Sequence, residues 1–290
     1  MKFHRVLAIP VLVATAALTL TACGDDKASS DTVVRIGTTD KDKAWDIFEQ
    51  RAKDKGITLK ITNFSDYKQP NLALSQKQID VNLFQHLQFL GAYNVANNDT
   101  LTPIGSTYIV PLGLYSKKHK TLADLPQGAE IAIPNDPTNQ ARALFVLQAA
   151  GLLKLSSDVK SPSPADIDKG ASKVRVTTVD AAQTALSLAS VDGSVINNTF
   201  LERSGIDPQS ALYKDDPKNP AAEPYINTLV TRAEDKNNPK LLQLVELWHD
   251  PEVQKAHSEV TKGTAVEVKR GAPELEQILQ RVQQTIRDGK

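Results

Sequence analysis

The sequence predicts an α/β protein of two lobes joined by a two-strand hinge, and three observations carry that prediction. Strand-like and helix-like segments alternate along most of the chain. The first of them, Val33–Thr38, then a helical run over Lys41–Lys55, then Ile57–Phe64, make a β-α-β unit, whose right-handed crossover implies parallel pairing. Two extended stretches, Leu101–Ser116 and Tyr225–Arg232, interrupt the alternation where a chain would leave one lobe and return to it. Lobes joined in this way close around a ligand by hinge motion.

Taken in order, the chain begins with a segment that is not fold. Lys2 and Arg5 precede an almost wholly apolar run, Val6–Leu20, and Leu20-Thr21-Ala22-Cys23 closes it with small residues. That is the pattern of a secretory leader ending at Ala22. The run is short for a membrane span, which weighs against an uncleaved anchor. Cys23 is the only cysteine of the 290 residues and has no disulfide partner, so its thiol is expected to carry lipid. Residues 23–32 are small and polar and read as a tether. Loss of Lys2 and Arg5 with the leader takes two from the 34 basic residues and none from the 34 acidic ones, leaving a net charge of about −2. Nothing in that balance points to nucleic acid.

Trp45, Phe48 and Ala52 fall at helical spacing and are expected in the core, with Asp40 as the cap and Gly56 as the stop. The segment Phe64–Asn71 lies just past a strand end, where open α/β sheets collect ligands, and Pro70 suits the first turn of a helix over Asn71–Gln78. Ile79–Phe84 is the third strand and runs into Gln85-His86. Phe84 and His86 therefore also sit at a strand's end, although a lone histidine is as readily structural.

Ile131–Gly151 is the richest stretch. Apolar Ile131–Ile133 enters the turn Pro134–Pro137, and a helix is expected over Gln140–Ala150. A strand, a tight turn and a helix N-terminus can cradle an anion. Arg142, in or near the expected first turn, opposes the helix dipole there and so suggests an anionic partner, a surface salt bridge being the plainer alternative. Residues 152–173 read as surface. Lys173–Thr178 is a strand, Asp180 caps Ala181–Ser190, Gly193–Ile196 is a short strand, and the proline-rich Asp207–Pro224 is loop. Three helical runs finish the chain: Pro239–His249, Glu252–Thr261 and Pro273–Asp288. The first carries a core stripe of Leu241, Leu244, Val245 and Trp248.

No nucleophile elbow, P-loop, dinucleotide fingerprint or H-E-x-x-H spacing is present, and binding is better supported than catalysis. Six segments then resemble one family, in order through nearly the whole mature chain. They are LTAC at Leu20–Cys23, DYKQPNLAL at Asp66–Leu74, IDVNLFQH at Ile79–His86, IAIPNDPTNQARAL at Ile131–Leu144, INNTF at Ile196–Phe200 and PYIN at Pro224–Asn227. Together they resemble the methionine-binding lipoproteins of ABC importers, the NlpA type. The resemblance implies a type II periplasmic-binding-protein fold, with residues 33–112 and 228–290 as one lobe and 113–227 as the other. It implies no enzyme activity, cofactor or metal. The expected partners are a small amino acid, a membrane permease with its cytoplasmic ATPase, and the membrane itself through the lipid on Cys23; the chain is expected to act as a monomer.

The resemblance also assigns roles. Arg142 would hold the ligand's carboxylate; Asn197 and Asn227 would bind its ammonium or carboxylate without adding charge; Tyr67, Phe84 and His86 would line the side-chain pocket. Asn139 would orient Arg142 or simply cap the helix, Asn198 would stand by, and Gln85 would point elsewhere. The chain departs from the family pattern at Gln88-Phe89, where Pro-Tyr is common, and in the first loop, Thr38–Asp42, where a Gly/Pro-rich run is common. An acidic or basic group in that loop would alter ligand preference, so another amino acid, a methionine derivative or a short peptide is an alternative ligand. A non-transporting adhesion or structural lipoprotein is the alternative function. Met1 leaves with the leader, so Cys23 is the mature chain's sole sulfur, as would suit a protein made when sulfur is scarce.

Overall fold

A computed structural model describes residues 32–156 and 159–289; the leader, Cys23 and the tether as far as Asp31 lie outside the described residues. The first half of the fold is built by β1 (Thr32–Thr38), α1 (Lys43–Asp54), β2 (Ile57–Asn63), α2 (Gln69–Ser75), β3 (Val81–His86), α3 (Leu87–Asn97) and β4 (Thr102–Ser106). Strand β1 pairs in parallel with both β2 and β3, as the β-α-β pattern predicts. The expected cap moves by one short step. Asp42, not Asp40, accepts from Ala44 N–H (2.7 Å) and opens α1. Asp40 is instead held by the Thr38 hydroxyl (2.6 Å). Gly56 takes the positive φ (+68°) that turns the chain from α1 into β2, where only glycine is unstrained.

The chain then runs through β5 (Tyr108–Ile109) into β6 (Gly113–Tyr115) and a second sheet. That sheet is completed by β7 (Ala129–Pro134), α4 (Pro137–Ala149), β8 (Val174–Val179), α5 (Thr184–Ser187), β9 (Gly193–Ile196), α6 (Thr199–Arg203) and β10 (Tyr213–Lys214). Helix α4 begins three residues before the expected Gln140. Pro137 lacks only an N–H that a first helical turn would leave unpaired, and Asp136 accepts from Asn139 N–H (3.0 Å) as the cap. Arg142 consequently lies five residues into α4, beyond the first turn, and the helix end is closed by a carboxylate. At the place expected to cradle an anion, the Asn139 N–H is thus already taken by the Asp136 carboxylate. Two further expectations change. Leu152, Leu153 and Leu155 of the expected surface stretch are buried in the second core, and β10 forms inside the expected loop as an edge strand on β6.

After residue 214 the chain returns. Strand β11 (Asn227–Thr231) inserts antiparallel between β3 and β4 in the first sheet. It is followed by α7 (Pro239–Trp248), α8 (Pro251–Val260), β12 (Val266–Glu267) and α9 (Ala272–Arg287). The two sheets have equivalent plans, β2-β1-β3-β11-β4 and β10-β6-β9-β7-β8, each with parallel strands on one side and antiparallel strands on the other. Each also owns its core. Trp45, Phe48, Leu83, Leu244 and Trp248 pack beneath the first sheet, and Leu114, Ile131, Leu144, Leu147 and Val195 beneath the second. Burial of side chains of this size stabilises by about 1.5–3 kcal/mol each before entropy is counted. No helix among the described residues is long and apolar enough to cross a membrane.

Candidate functional site

The carboxyl ends of the parallel strands of both sheets converge on one place. β1 leads to Asp40, β2 to Tyr67, β3 ends on His86, β7 leads to Asp136 and Asn139, and β9 to Asn197. Between them lies a narrow cavity of about 40 Å³. Tyr67, Phe84, His86, Asn139, Arg142, Asn197 and Asn227, the residues singled out from the sequence, all line it.

Its apolar wall is a set of touching rings. Tyr67 lies 6.0 Å from Phe84, 5.9 Å from Phe89 and 5.2 Å from Phe200, centroid to centroid. Phe89 is one of the two residues, with Gln88, that the sequence singled out just after Gln85-His86. It enters the wall because His86 caps α3, its Nδ1 accepting from Phe89 N–H (3.0 Å). Burial raises the Tyr67 phenol well above its ordinary pKa, so the ring stays neutral.

The polar wall is ordered by hydrogen bonds of one sense. Asn139 is 1% exposed, and its amide donates to both Asp136 oxygens (3.0 and 3.1 Å). Its Oδ1 accepts from Asn197 Nδ2 (2.8 Å) and faces His86 Nε2 at 3.4 Å. Asn197 Oδ1 is buried and has no partner among the described residues. A desolvated acceptor left without a donor is costly, so this atom asks for an N–H from outside the protein. Asn227 sits opposite His86 on β11. Its backbone oxygen is taken by Thr107 (2.9 Å from N–H), and its side chain lines the cavity.

Arg142 is 4% exposed. Its Nε and Nη2 donate to Asp215 (2.7 and 3.1 Å), Nη2 also donates to the Val110 carbonyl (2.9 Å), and the guanidinium lies 4.2 Å over the Tyr225 ring. The clamp expected from the sequence is thus already gripped from behind by Asp215, and Nη1 is the nitrogen these bonds leave over. Asn139 does not orient Arg142 as expected; it binds Asp136, Asn197 and His86. Gln85, expected to point elsewhere, also contributes to the cavity lining, while its side-chain amide is held in a reciprocal pair with Asn71 (2.8 and 2.6 Å) that ties α2 to β3. Asn198, the expected bystander, lines the cavity's edge.

The sequence marked Phe89 and the loop that carries Asp40 as departures from the family pattern, but Tyr108, Phe200, Asp215 and Tyr225 went unnoticed as parts of the site. Phe200 and Tyr225 stand inside the INNTF and PYIN segments and were within reach. Asp215 lies 73 residues from Arg142 in a proline-rich stretch, and no local pattern announces the pair.

His86 has its pKa pushed down to about 3 by burial and then by the Arg142 charge. The folded pKa is below the unfolded value of about 6.5. Protonation therefore favours the unfolded chain as pH falls from about 6.5 towards 3, and His86 contributes no slope above that window. We expect ring-carbon NMR shifts of His86 to stay those of a neutral imidazole at pH 5. Titration near 6.5 would contradict the buried, Arg142-facing placement.

The sequence model of the NlpA lipoprotein family matches residues 34–269. The D-methionine-binding lipoprotein MetQ of Escherichia coli K12 is 32% identical over 271 residues, covering 91% of this chain and 98% of the relative. Among solved structures, the substrate-binding protein of a methionine transporter from Streptococcus pneumoniae aligns with a TM-score of 0.76 and 35% identity, over 81% of this chain and 95% of that one. A nutrient-binding protein of Burkholderia cenocepacia bound to methionine aligns with a TM-score of 0.75 and 35% identity, over 81% and 99%.

Proposed function

We propose that this chain, which belongs to the NlpA lipoprotein family, is the substrate-binding lipoprotein of an ABC importer and captures methionine or a related amino acid. The observation that carries this reading is the pairing, in one cavity, of a buried guanidinium, an unpartnered buried amide oxygen and an aromatic wall. Arg142 takes the carboxylate, Asn197 and Asn227 take the ammonium, and Tyr67, Phe84 and His86 receive the side chain. A thioether against such rings gains about 0.3–1.5 kcal/mol per contact.

In this reading the two sheets are the cores of two lobes, residues 33–112 with 228–290 and residues 113–227. The segments crossing between them are the hinge of a type II binding-protein fold. Lipid on Cys23 holds the monomer at a membrane, from which it hands ligand to a permease driven by a cytoplasmic ATPase. Asp40 favours a second reading of the ligand. It lines both the site and an adjoining cavity of about 260 Å³ that is also lined by Asp42 and Glu202. A methionine derivative or short peptide with a further donor would use that space.

Calorimetry on the soluble chain beginning after Cys23 tests the reading. Saturable 1:1 binding of unmodified methionine, or of a derivative in preference to it, is the expected result. No binding of any amino acid or peptide would overturn it in favour of an adhesive or structural role. Mass spectrometry of the mature N-terminus should find the lipid on Cys23.

A further inference from the structure

We propose that Asp136 is a positioning residue that sets the hydrogen-bond polarity of the ligand-facing amides. This rests on the amino-acid-binding reading above and explains why the site presents an acceptor, not a donor, at Asn197. Burial raises the Asp136 pKa and the hydrogen bonds from Asn139 and Thr138 oppose that rise; in its ionised form the carboxylate can only accept. Asp136 Oδ1 accepts from Asn139 N–H (3.0 Å), the Thr138 hydroxyl (2.9 Å) and Asn139 Nδ2 (3.0 Å), and Oδ2 also accepts from Asn139 Nδ2 (3.1 Å). The NH₂ of Asn139 must therefore face Asp136, and its oxygen must face the other way.

Two donors meet that oxygen. Asn197 offers its NH₂ at 2.8 Å. His86 is the second. Its Nδ1 is occupied as the acceptor for Phe89 N–H, so the neutral ring carries its proton on Nε2, which faces Asn139 Oδ1 at 3.4 Å. The polarity of each group is thus dictated by the one behind it. The last member, Asn197 Oδ1, is left as a buried acceptor without a donor among the described residues. It suits an ammonium and disfavours a second carboxylate. Nothing in the order of bonds depends on Asp136 touching the ligand.

Asp136→Asn separates this role from a merely structural one. Asparagine caps helices as well as aspartate does, so α4 keeps its start. The new amide can, however, donate to Asn139 Oδ1 and let Asn139 turn over. Asn197 would then have to turn as well, presenting NH₂ to the ammonium, and His86 Nε2–H would face a donor.

The test compares methionine with 4-(methylthio)butanoic acid, which lacks only the amino group, by calorimetry on wild type and variant. Methionine should bind the variant about tenfold to a hundredfold more weakly, the range of one charged hydrogen bond, while the desamino acid should bind both proteins alike. Equal losses for the two ligands, or no loss for methionine, would overturn the proposal. A second readout needs no ligand: ¹⁵N NMR of the His86 ring should report the Nε2–H tautomer in wild type and a changed ring in the variant. An unchanged ring overturns the relay even if wild type binds no amino acid, an outcome that by itself would sink only the functional reading. Asp136→Ser, another capping residue without a carboxylate, repeats both measurements should the asparagine variant fold poorly.

Discussion

Arg142→Ala is expected to abolish measurable capture of an amino acid. The substitution strands two charges at once, the ligand's carboxylate and Asp215, which Arg142 holds through Nε and Nη2. Breaking one side of a desolvated ion pair costs roughly 3–5 kcal/mol, a weakening of about a hundredfold to several thousandfold. Arg142→Lys should fare little better. One ammonium cannot meet Asp215, the Val110 carbonyl and the Tyr225 face together while reserving a donor for the ligand. Asp215→Asn should cost less, because the guanidinium keeps the Val110 and Tyr225 contacts and loses only the grip behind it. Calorimetry orders the three variants. An Arg142→Ala protein that binds within about threefold of wild type would remove Arg142 from the site.

That prediction was half legible in the sequence. An arginine near the start of a helix after a strand and a polar turn announced itself, and so did the aromatic and histidine residues at strand ends, because topology puts strand ends beside ligands. The periodicities of Trp45, Phe48 and Ala52 and of Leu241, Leu244 and Trp248 found core faces, since a helix repeats its inner face at a spacing that side-chain type reveals. What pairs across the chain was not legible. Asp215 and Arg142 meet only because β10 lies on β6 and brings residue 215 to the Leu112 N–H, which Asp215 accepts at 2.8 Å. The exchange between Asp40 and Asp42 was equally hidden. Either acid could cap α1, and the choice falls to the Thr38 hydroxyl that holds Asp40. Burial raises the pKa of both, Asp42 to about 7 with help from the Asp40 charge. The first loop thus brings Asp40 to the cavity while Asp42 opens α1.

The largest loss of stability is expected at Trp248→Ala. Trp248 is 1% exposed and touches Trp45 (5.7 Å), Phe48 (5.3 Å), Tyr108 (5.9 Å) and His257 (5.7 Å), so no neighbour can move without disturbing another. Truncation of a buried tryptophan costs about 3–5 kcal/mol, and in a chain of this size that lowers Tm by on the order of 10 °C. Trp248→Phe should be far milder. The indole Nε1–H is buried without a partner among the described residues, so the smaller ring discards a donor whose desolvation is not repaid there. The two variants also separate fold from site. Tyr108 rests on Trp248 and reaches into the ligand cavity, its hydroxyl 3.5 Å from Asp40. Trp248→Ala should therefore weaken binding as well as stability, because the floor beneath Tyr108 is gone, whereas Trp248→Phe keeps a ring there and should bind as wild type does. Thermal unfolding and calorimetry on both proteins decide it. A Tm for the alanine variant within about 2 °C of wild type would mean that the first sheet's core does not depend on this ring cluster.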